Sequence, residues 1–425
     1  MGVAFGEALR VWLKIGCLGF GGPAGQIALM HRILVDEKKW VEETRYLHAL
    51  NFCMLLPGPE AQKLATYVGW LLHGTRGGLA AGILFVLPGA LVMLGVSLLY
   101  ALGQGIAAVD GALFGVKAAV LVIVVEALLR IGRRGLKTRL LAGIAAAAFV
   151  GIHFLALPFP LIIFVAGAIG FFTTEKTGET GERAENRGAW KQAARATLVG
   201  LALWLAPIAL VVLTFGTRHV LFDIAEFFSK LAVVSFGGAY ALLAYMAQQA
   251  VETYGWMKAP EMVDGLGLAE TLPGPLIKVT QFVGFLAAYR DPAPFSPVAA
   301  AVIGSALTTW VTFVPPMMLI FAGAPFIEPL RSNPRLSGAL AAVTAAVVGV
   351  ILNLTIWFAL HVLFARVEEA RAGPLRWYAF DPAALDWKAG ALALIAALLM
   401  LRLRRGLVET VALMAAAGIL LRFVL

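Results

Sequence analysis

Two short motifs in this chain place helix-breaking residues beside charged or amide side chains within apolar segments, a combination that can bind an anion. The first is Leu-Pro-Gly-Pro at residues 56–59, followed by Glu60, Gln62 and Lys63. The second is Phe-Gly-Gly-Pro at residues 20–23. Because proline removes a backbone donor and glycine frees φ, we expect a helix to stop and restart at each motif. The N–H groups of a new helix start carry the positive end of its dipole and favour an anion.

Both motifs occur a second time, 216 positions later. Leu-Pro-Gly-Pro returns at residues 272–275, and Phe-Gly-Gly returns at residues 236–238. Other pairs at the same offset are Lys14 with Lys230 and Trp40 with Trp256. Helix breakers at matching depths in two halves of a hydrophobic chain are typical of a transport site formed by internal repeats.

Several residues near these breaks are candidates for substrate contact or charge balance. Glu60 and Lys63 would share one face of a helix, so they can form an ion pair. Lys117 and Glu126 would face opposite sides of a straight helix and need separate partners. The candidate substrate-binding residues are Lys14, Phe20, Gly21, Gly22, Pro23, Pro57, Gly58, Pro59, Gln62, Lys63, Lys230, Phe236, Gly237, Gly238, Pro273, Gly274 and Pro275. The candidate proton-coupling residues are Glu60, Glu270 and Glu126.

Each of these features also has a purely structural explanation. Proline kinks and closely packed glycines are common in membrane helices. A lysine or glutamate in an apolar segment can be a side chain that snorkels to the bilayer surface, or one half of a structural ion pair. Two motifs that are each repeated at one offset favour the transport interpretation over an accidental set of kinks.

The composition indicates an integral membrane protein. Apolar residues make up 60% of the chain and charged residues only 14%, and the mean hydropathy is +0.86. Soluble domains carry about 25% charged residues. Several apolar stretches reach the roughly 20 residues that a helix needs to cross a bilayer. Because the hydrocarbon core offers the backbone no hydrogen-bond partner, the spans are expected to be helices.

The predicted fold is an all-α polytopic membrane protein with two inverted-topology repeats. Residues 1–173 form the first repeat, residues 174–221 a cytoplasmic linker with an extra connecting span, and residues 222–425 the second, inverted repeat. The offset grows to about 227 in the later helices, and residues 290–297 are the expected place of the insertion. The thirteen hydrophobic elements are residues 5–22, 47–73, 77–102, 109–130, 139–154, 157–173, 197–216, 222–247, 262–289, 297–323, 336–364, 387–402 and 406–425.

The distribution of lysine and arginine predicts the orientation. The loop at residues 130–139 holds five basic residues and no acid, so it is expected in the cytoplasm, and the basic linker is expected there too. The loop at residues 103–110 has no lysine or arginine and is expected outside. The one extra span inverts the second repeat, which places residues 366–386 outside although this loop contains three arginines.

Other classes of function find little support in the sequence. The net charge of +9 is accounted for by basic cytoplasmic loops, so it does not indicate nucleic-acid binding. The six histidines show no metal-ligand spacing, and the chain has no phosphate-binding loop and no credible catalytic triad. We therefore expect neither a cofactor, nor a metal, nor an enzymatic activity.

The repeated motifs resemble those of the chromate ion transporter family in its long form with two homologous halves, and the match covers nearly the whole chain. The residues that carry the resemblance are Phe-Gly-Gly-Pro at 20–23, Trp40, Leu-Pro-Gly-Pro-Glu-Ala-Gln at 56–62, Tyr67, Gly69, Phe-Gly-Gly at 236–238, Glu270 and Pro-Gly-Pro-Leu at 273–276. The resemblance implies export of chromate across a bacterial inner membrane, driven by the proton-motive force or the membrane potential, with sulfate as a related anion. Lys63 and Lys278 depart from the family pattern, which leads us to expect an uncharged residue at both positions.

The corresponding mechanism is a dianion held near mid-membrane between the two pairs of broken helices. Backbone N–H groups of the glycines at both motifs would replace its water, Gln62 would add hydrogen bonds, and Lys14, Lys63 or Lys230 would balance charge. The open alternatives are a carrier for sulfate or another oxyanion, and an anion channel. The expected partners are the oxyanion and the lipid bilayer, with a homodimer as a further option.

Overall fold

The computed structural model describes residues 3–103, 105–174, 187–235, 239–324 and 334–424. These residues are mostly helical. Five of the described helices are long and apolar enough to cross a membrane, as the composition predicted, so the chain is a multi-pass membrane protein. They are Glu60–Leu102, Ala107–Gly135, Trp190–Phe215, Pro297–Gly323 and Pro334–Leu363.

The first half of the chain contains seven α-helices within its described residues. A short π-helical turn, Arg32–Glu37, follows the second of them. The fourth helix is interrupted at His73 and Gly74, whose backbone dihedrals are not helical. The bounds are α1 Phe5–Leu18, α2 Gly22–His31, α3 Glu43–Leu55, α4 Glu60–Leu102, α5 Ala107–Gly135, α6 Arg139–His153 and α7 Phe159–Thr173.

The remainder of the chain begins with the extra helix, α8, and continues with helices that correspond to those of the first half. Another π-helical turn, Gln249–Thr253, follows α10, and a third, Leu398–Arg402, follows α15. The bounds are α8 Arg187–Phe215, α9 Val220–Val233, α10 Ala239–Gln248, α11 Ala259–Thr271, α12 Val279–Arg290, α13 Pro297–Gly323, α14 Pro334–Leu363, β1 Val367–Ala372, β2 Leu375–Phe380, α15 Trp387–Ala397 and α16 Leu407–Val424.

The internal repeat is visible in local backbone geometry. The backbone N–H of Trp40 donates to Leu34 O at 2.8 Å, and that of Trp256 donates to Ala250 O at 2.9 Å. Both bonds join a residue of a π-helical turn to the tryptophan that follows the turn, and their residues are related by the same offset of 216. The matched tryptophans therefore end corresponding turns, although this agreement does not fix the orientation of either half in the membrane.

Short helices flank the Pro-Gly-Pro motifs. Helices α3 and α11 have 13 residues each, and α12 has 12. At 1.5 Å per residue such helices are about 20 Å long, less than the thickness of a hydrocarbon core. The sequence predicted the break but treated residues 47–73 and 262–289 as single hydrophobic elements, whereas the structure divides each into two half-length helices.

The two halves differ where the insertion was expected. In the first half only His73 and Gly74 separate the two helical parts of α4. In the second half α12 ends at Arg290 and α13 begins at Pro297. The extra residues form a loop at the predicted place.

The chain forms two compact units, and each contains segments from both halves of the sequence. The first consists of Met1–Gly95, Phe171–Ala239 and Leu272–Gly338. The second consists of Val96–Gly170, Tyr240–Thr271 and Ala339–Leu425. The predicted division into a first repeat, a linker and a second repeat follows the order of the sequence, whereas the compact units do not. That division stays a prediction.

The expectation of an all-α fold missed one element. Strands β1 and β2 pair as an antiparallel hairpin, with Val367 opposite Phe380 and Ala372 opposite Leu375. Gly373 supplies a positive φ of 59° in the turn. The first strand, Val-Glu-Glu-Ala-Arg-Ala, shows no alternation of apolar and polar residues, so hydrophobic periodicity does not mark it.

Candidate functional site

The Pro-Gly-Pro segments are helix breaks, as predicted. Helix α3 ends at Leu55 and α4 begins at Glu60, while α11 ends at Thr271 and a short 3-10 helix begins at Leu276. Pro59 precedes the first turn of the new helix rather than lying in it, because its carbonyl accepts the first helical hydrogen bond, from Lys63 N at 3.0 Å.

Each break requires its glycine. Gly58 has φ 109° and Gly274 has φ 91°, which an L side chain rarely adopts. Space is restricted as well. A Cβ on Gly58 would lie 2.5 Å from Pro316 Cγ, and a Cβ on Gly274 would lie 3.3 Å from Gly89 Cα. The breaks are therefore packed against α13 and α4, respectively.

The breaks of each half are hydrogen-bonded to the Phe-Gly-Gly region of the other half. Gly274 N donates to Gly19 O at 3.0 Å, and Gly58 N donates to Ser235 O at 3.0 Å. Gly19 and Ser235 each directly precede a Phe-Gly-Gly motif. The two bonds are equivalent under the 216-residue offset, so each Pro-Gly-Pro segment is bonded to the residue that precedes the Phe-Gly-Gly motif of the other half.

The amide of Gln26 reinforces one of these crossings. Its Nε2 donates to Gly19 O at 3.1 Å and to Gly274 O at 2.6 Å, and the side chain is buried. Sequence reasoning missed both Gln26 and Ser235. Ser235 has a signal that could have found it, since it stands before Phe236 as Gly19 stands before Phe20.

These contacts correct one part of the predicted mechanism. The N–H groups of Gly58 and Gly274 were expected to replace the water of a bound anion. In the structure each is already satisfied by a carbonyl, so neither is available as a substrate donor in this conformation. The first-turn N–H groups of α4 remain without intrahelical partners by the geometry of a helix start.

Two buried lysines occupy corresponding places at the breaks. Lys63 and Lys278 are each 1% exposed. Lys63 Nζ donates to Leu56 O, and Lys278 Nζ donates to Leu272 O at 3.0 Å and to Gly274 O at 3.2 Å. Leu56 and Leu272 follow the last residues of α3 and α11, so both ammonium groups lie at negative helix ends.

The predicted ion pair between Glu60 and Lys63 does not form among the described residues. The two side chains are on neighbouring positions of the first turn, but Lys63 Nζ turns back to the carbonyl of Leu56. A carbonyl at a helix C-terminus attracts the ammonium without the need to bring a carboxylate into the same buried space. Glu60 is only partly buried.

Two buried glutamine side chains extend the polar region. Gln62 Nε2 donates to Phe313 O on α13 at 3.3 Å, and Gln281 Nε2 donates to Ala90 O on α4 at 2.9 Å. In the described part of the structure, the Oε1 atoms of both side chains are buried without a hydrogen-bond partner. Each glutamine therefore links the helix that follows a break to a long helix of the other half.

The remaining candidates take different positions. Gly21 (φ 83°) and Gly22 (φ 67°) form the turn that opens α2, with Pro23 in its first turn. Lys14 is exposed on α1, and the exposed Lys230 pairs with Glu226 at 2.8 Å. Phe236, Gly237 and Gly238 lie outside the described residues.

The acidic candidates are also dispersed. Glu126 pairs with Arg130 one helical turn later, whereas Lys117 pairs with Asp264, so the two residues have separate partners as predicted. Glu270 is buried near the end of α11. Asp264 is a buried acid in a predicted hydrophobic element, which is a signal that sequence reasoning overlooked.

One cluster in the described residues has ligand types that a metal ion accepts, although no metal site was predicted. His31, Asp36 and Glu43 lie together between α2 and α3. His31 Nε2 is 2.6 Å from Glu43 Oε2, and Nδ1 is 3.4 Å from Asp36 Oδ2. Since both imidazole nitrogens face carboxylates and both acids are exposed, the arrangement is explained by surface ion pairs.

A cavity of 1010 Å³ lies within the first compact unit, between α4, α8 and α13. Its lining is largely apolar, with Arg195, Gln192 and Gln281 among the few polar side chains. An apolar cavity of this kind does not replace the hydration of a dianion. The break region is therefore the better candidate for the substrate.

Comparison with known proteins agrees with the repeat. The profile described as "Chromate transporter" matches twice, at residues 6–171 and 222–421. The chromate transport protein of Pseudomonas aeruginosa is 34% identical over 384 residues, which cover 87% of this chain and 85% of that protein. The probable chromate transport protein of Synechococcus elongatus is 28% identical over 362 residues, covering 82% and 83%.

A shorter relative corresponds to a single half. The uncharacterized transporter YwrB of Bacillus subtilis is 31% identical over 165 residues, which cover 38% of this chain and 83% of that protein. No solved structure matches this chain. The double match and the half-length relative are what a chain built from two homologous halves produces.

Proposed function

This chain belongs to the chromate transporter family, and on that premise we propose that it exports chromate from the cytoplasm across the bacterial inner membrane. The observation that carries the proposal is the reciprocal bonding of the breaks, Gly274 N to Gly19 O and Gly58 N to Ser235 O. Broken helices meeting at half-membrane depth are the usual place of a substrate site in secondary transporters. The proposed architecture is an inverted repeat with this site at its centre.

The charges at the breaks support a dianionic substrate. Lys63 and Lys278 carry two positive charges in buried positions, which equals the charge of chromate in magnitude. Buried ammonium groups cost free energy unless they are paired, and helix ends compensate them only in part. A bound dianion would complete that compensation, with Gln62 and first-turn N–H groups of α4 as further donors.

Export is favoured by the membrane potential. In a cell that is negative inside, each elementary charge that crosses 100 mV is worth about 2.3 kcal/mol, so a dianion gains about twice that on leaving. Rocking of the two halves about the breaks would give alternating access. In this proposal the crossed hydrogen bonds of Gly58 and Gly274 belong to one of the alternating states and are exchanged in the other.

Glu60 and Glu270 are proposed proton-coupling residues because they lie beside the breaks in the sequence. An ionised Glu60 opposes a nearby dianion by simple repulsion, and a protonated Glu60 permits it to bind. The rate of transport by the Glu60→Gln variant should therefore no longer show the part of its pH dependence that comes from titration of the Glu60 carboxyl. Transport with an unchanged pH profile would remove Glu60 as the proton site.

The direct test is uptake of radiolabelled chromate into inside-out membrane vesicles from cells with and without the protein. We expect saturable uptake that collapses when a protonophore is added midway. A flux that does not saturate would indicate a channel. Unlabelled sulfate in excess separates the alternatives for substrate: strong competition, with labelled sulfate transported in place of chromate, would show that this chain carries another oxyanion.

A further inference from the structure

The second compact unit contains an ion pair with a buried carboxylate, formed by residues that are not among the proposed substrate residues. Lys117 on α5 places its Nζ 3.0 Å from Asp264 Oδ1 on α11. Tyr100, near the end of α4, donates its hydroxyl to Asp264 Oδ2 at 2.9 Å. Asp264 is 4% exposed and Tyr100 is 6% exposed. The carboxylate is thus enclosed by one cation and one phenol.

Asp264 Oδ1 has capacity for a further bond. Its close polar contact among the described residues is the Lys117 ammonium at 3.0 Å. A carboxylate oxygen offers two lone pairs. This oxygen is therefore the atom of the cluster that can take up a proton with the least loss of existing contacts.

The cluster joins Lys117 and Tyr100 of the first half to Asp264 of the second half, and it has no counterpart under the repeat. At the 216-residue offset the counterpart of Asp264 is His48, which is exposed, and at the later offset of 227 the counterpart of Lys117 is Thr344. The contacts at the breaks, in contrast, occur in both halves. Packing that the repeated fold requires should be repeated with it, so a cluster without a repeat-related counterpart calls for another explanation.

Other charged groups on the packed elements already have partners or lie further along their helices. Helix α11 packs against α5 and α16. On α5 Glu126 pairs with Arg130, and Asp110 lies in the first turn. On α16 Glu409 pairs with Arg405 at 2.9 Å, while Arg422 lies in the last turn. On α11 itself Glu261 accepts from Lys258 N at 2.7 Å, and Glu270 lies toward the other end.

The free-energy cost of burying the Lys117–Asp264 pair also indicates a functional role. Removing two charges from water costs several kcal/mol per ion, and a well-packed apolar pair of similar volume is often as stable or more stable. Ionisable residues buried in a membrane protein mark ion pathways and proton relays. Neither an intrinsic need for stability nor the repeat explains why this chain keeps an aspartate and a lysine here.

We propose that a proton is bound and released during transport at Asp264, paired with Lys117 and oriented by Tyr100, as the alternative to Glu60 and Glu270. The inference rests on the proposed function. Protonation forms one O–H bond on Asp264 and leaves Lys117 as an uncompensated cation. Loss of the proton restores the ion pair, so one complete cycle moves one proton and changes no other covalent bond.

Helix α11 connects Asp264 to the second helix break along the chain. Asp264 lies eight residues before Leu272, at which the second helix break begins. Helix α11 ends at Thr271 and connects the two positions. A change in the charge of Asp264 alters the forces that hold α11 to α5, and this helix ends at the break.

The test uses purified full-length protein in proteoliposomes and two readouts of labelled chromate. Exchange of internal for external chromate at equal pH needs no proton movement. Accumulation driven by a pH gradient, with the membrane potential clamped to zero by potassium and valinomycin, needs it. Asp264→Asn should retain exchange and lose accumulation for both orientations of the gradient. Glu261→Gln, which removes a partly exposed carboxylate from the first turn of the same helix, should retain both.

A second variant covers the case in which an unpaired Lys117 prevents folding. Asp264→Asn combined with Lys117→Gln leaves a neutral pair that can hydrogen-bond. This double variant should exchange chromate and fail to accumulate it. Gradient-driven accumulation by either variant would overturn the proposal. Loss of exchange in both variants would overturn it too, because the pair would then serve the fold.

The design separates this inference from the proposed function. If the unmodified protein does not exchange chromate, the substrate assignment fails. If it exchanges chromate and accumulates it in a pH gradient, and the Asp264 variants do the same, only the proton site fails. The orientation of the gradient that drives accumulation reports whether proton and anion move together or in opposite directions.

Discussion

Each of the two buried lysines, Lys63 and Lys278, can have a stabilising role or a role in substrate binding. Both ammonium groups bond a carbonyl at the end of a half-length helix, and both are buried. A stabilising role follows from these contacts alone, since hydrogen bonds with a charged partner are stronger than neutral ones. A role in substrate binding follows from their charge, and the two roles make different predictions.

Lys278→Met tests the stabilising role. The methionine keeps the length of the side chain and removes the donor, so Leu272 O loses its contact in a buried position. We expect a loss of about 1–3 kcal/mol in the free energy of unfolding, measured as thermal unfolding in detergent. Lys14→Met, at an exposed lysine on α1, serves as the matched control and should change stability by less than about 0.5 kcal/mol.

The same variant distinguishes the second role by kinetics. A purely structural lysine should leave the KM for chromate close to that of the unmodified protein in the fraction that remains folded. An unchanged thermal stability together with a raised KM would contradict the structural account. It would instead place the Lys278 ammonium on the substrate.

At the scale of elements, the packing of α4 against the second break is decided by a single glycine. A Cβ on Gly89 would lie 2.4 Å from Pro273 O, a backbone atom that cannot move without shifting the break. Gly95, six residues further along the same helix, has nothing within 4 Å of its Cβ position. Substitution of Gly95 by alanine therefore reports the helix propensity of the residue alone. The same substitution of Gly89 reports helix propensity together with the contact between α4 and the break.

Gly89→Ala and Gly95→Ala should have opposite effects. Alanine is favoured over glycine in a helix interior by about 0.8–1 kcal/mol, so Gly95→Ala should be neutral or stabilising. Gly89→Ala should lower both thermal stability and transport, because the steric conflict exceeds that gain. Equal behaviour of the two variants would show that α4 does not contact the break in the working protein.

The β-hairpin is attached to the helices of its unit through Arg376. This side chain is 2% exposed and donates to Ile152 O at 2.7 Å, beside the C-terminal end of α6. Its guanidinium lies 3.2 Å from Glu252 Oε2 in the turn after α10. The hairpin backbone adds a bond from Arg376 N to Phe154 O at 2.7 Å. One arginine thus joins the hairpin to two helix ends.

Arg376→Ala should destabilise the protein in a pH-dependent way. Burial raises the pKa of the Glu252 carboxyl, and the charge of Arg376 partly opposes that rise, so the pKa rises further in the variant. A raised carboxyl pKa contributes stability that is present below the ordinary value of 4.5 and is lost as the pH rises through the folded-state value. The loss should therefore be larger at neutral pH than below 4.5.

Thermal unfolding at both pH values measures this effect. The lost charge-assisted hydrogen bonds account for about 1.5–3 kcal/mol. Arg371→Ala is the matched control, because Arg371 is exposed on the same hairpin and pairs only at the surface with Glu369, a contact worth about 0–1 kcal/mol. A destabilisation by Arg376→Ala that is larger at acidic pH would contradict the account of Glu252.

For the molecule as a whole, the sequence predicted what is encoded locally. Apolar runs located the long helices, and α13 has the predicted bounds of 297–323. The Pro-Gly-Pro motifs located the breaks because proline and glycine act on the backbone directly. The contacts of Asp264 were not predictable in this way, since Tyr100 is 164 residues away and no local pattern joins them.

The inverted orientation of the two halves is the prediction that concerns the whole molecule. The loops that follow α5 and α14 correspond in the repeat, and inversion places them on opposite sides of the membrane. The three arginines in residues 366–386 argue against an outside location by the charge rule. The structure weakens that objection, because Arg376 is buried and Arg371 pairs with Glu369, while Arg366 is exposed at the start of the loop.

Labelling of single cysteines in intact cells decides the orientation. In a background with Cys17→Ser and Cys53→Ala, Lys137→Cys and Arg366→Cys each place a thiol at an exposed loop position after α5 or α14. A membrane-impermeant maleimide should label the cysteine at position 366 and leave the one at position 137 unlabelled until the cells are opened. Labelling of both positions, or of neither, in intact cells would mean that the two halves share one orientation. A parallel repeat would then have to explain the reciprocal hydrogen bonds at the breaks. A mechanism in which two equivalent inverted halves exchange conformations to give alternating access would lose its structural basis.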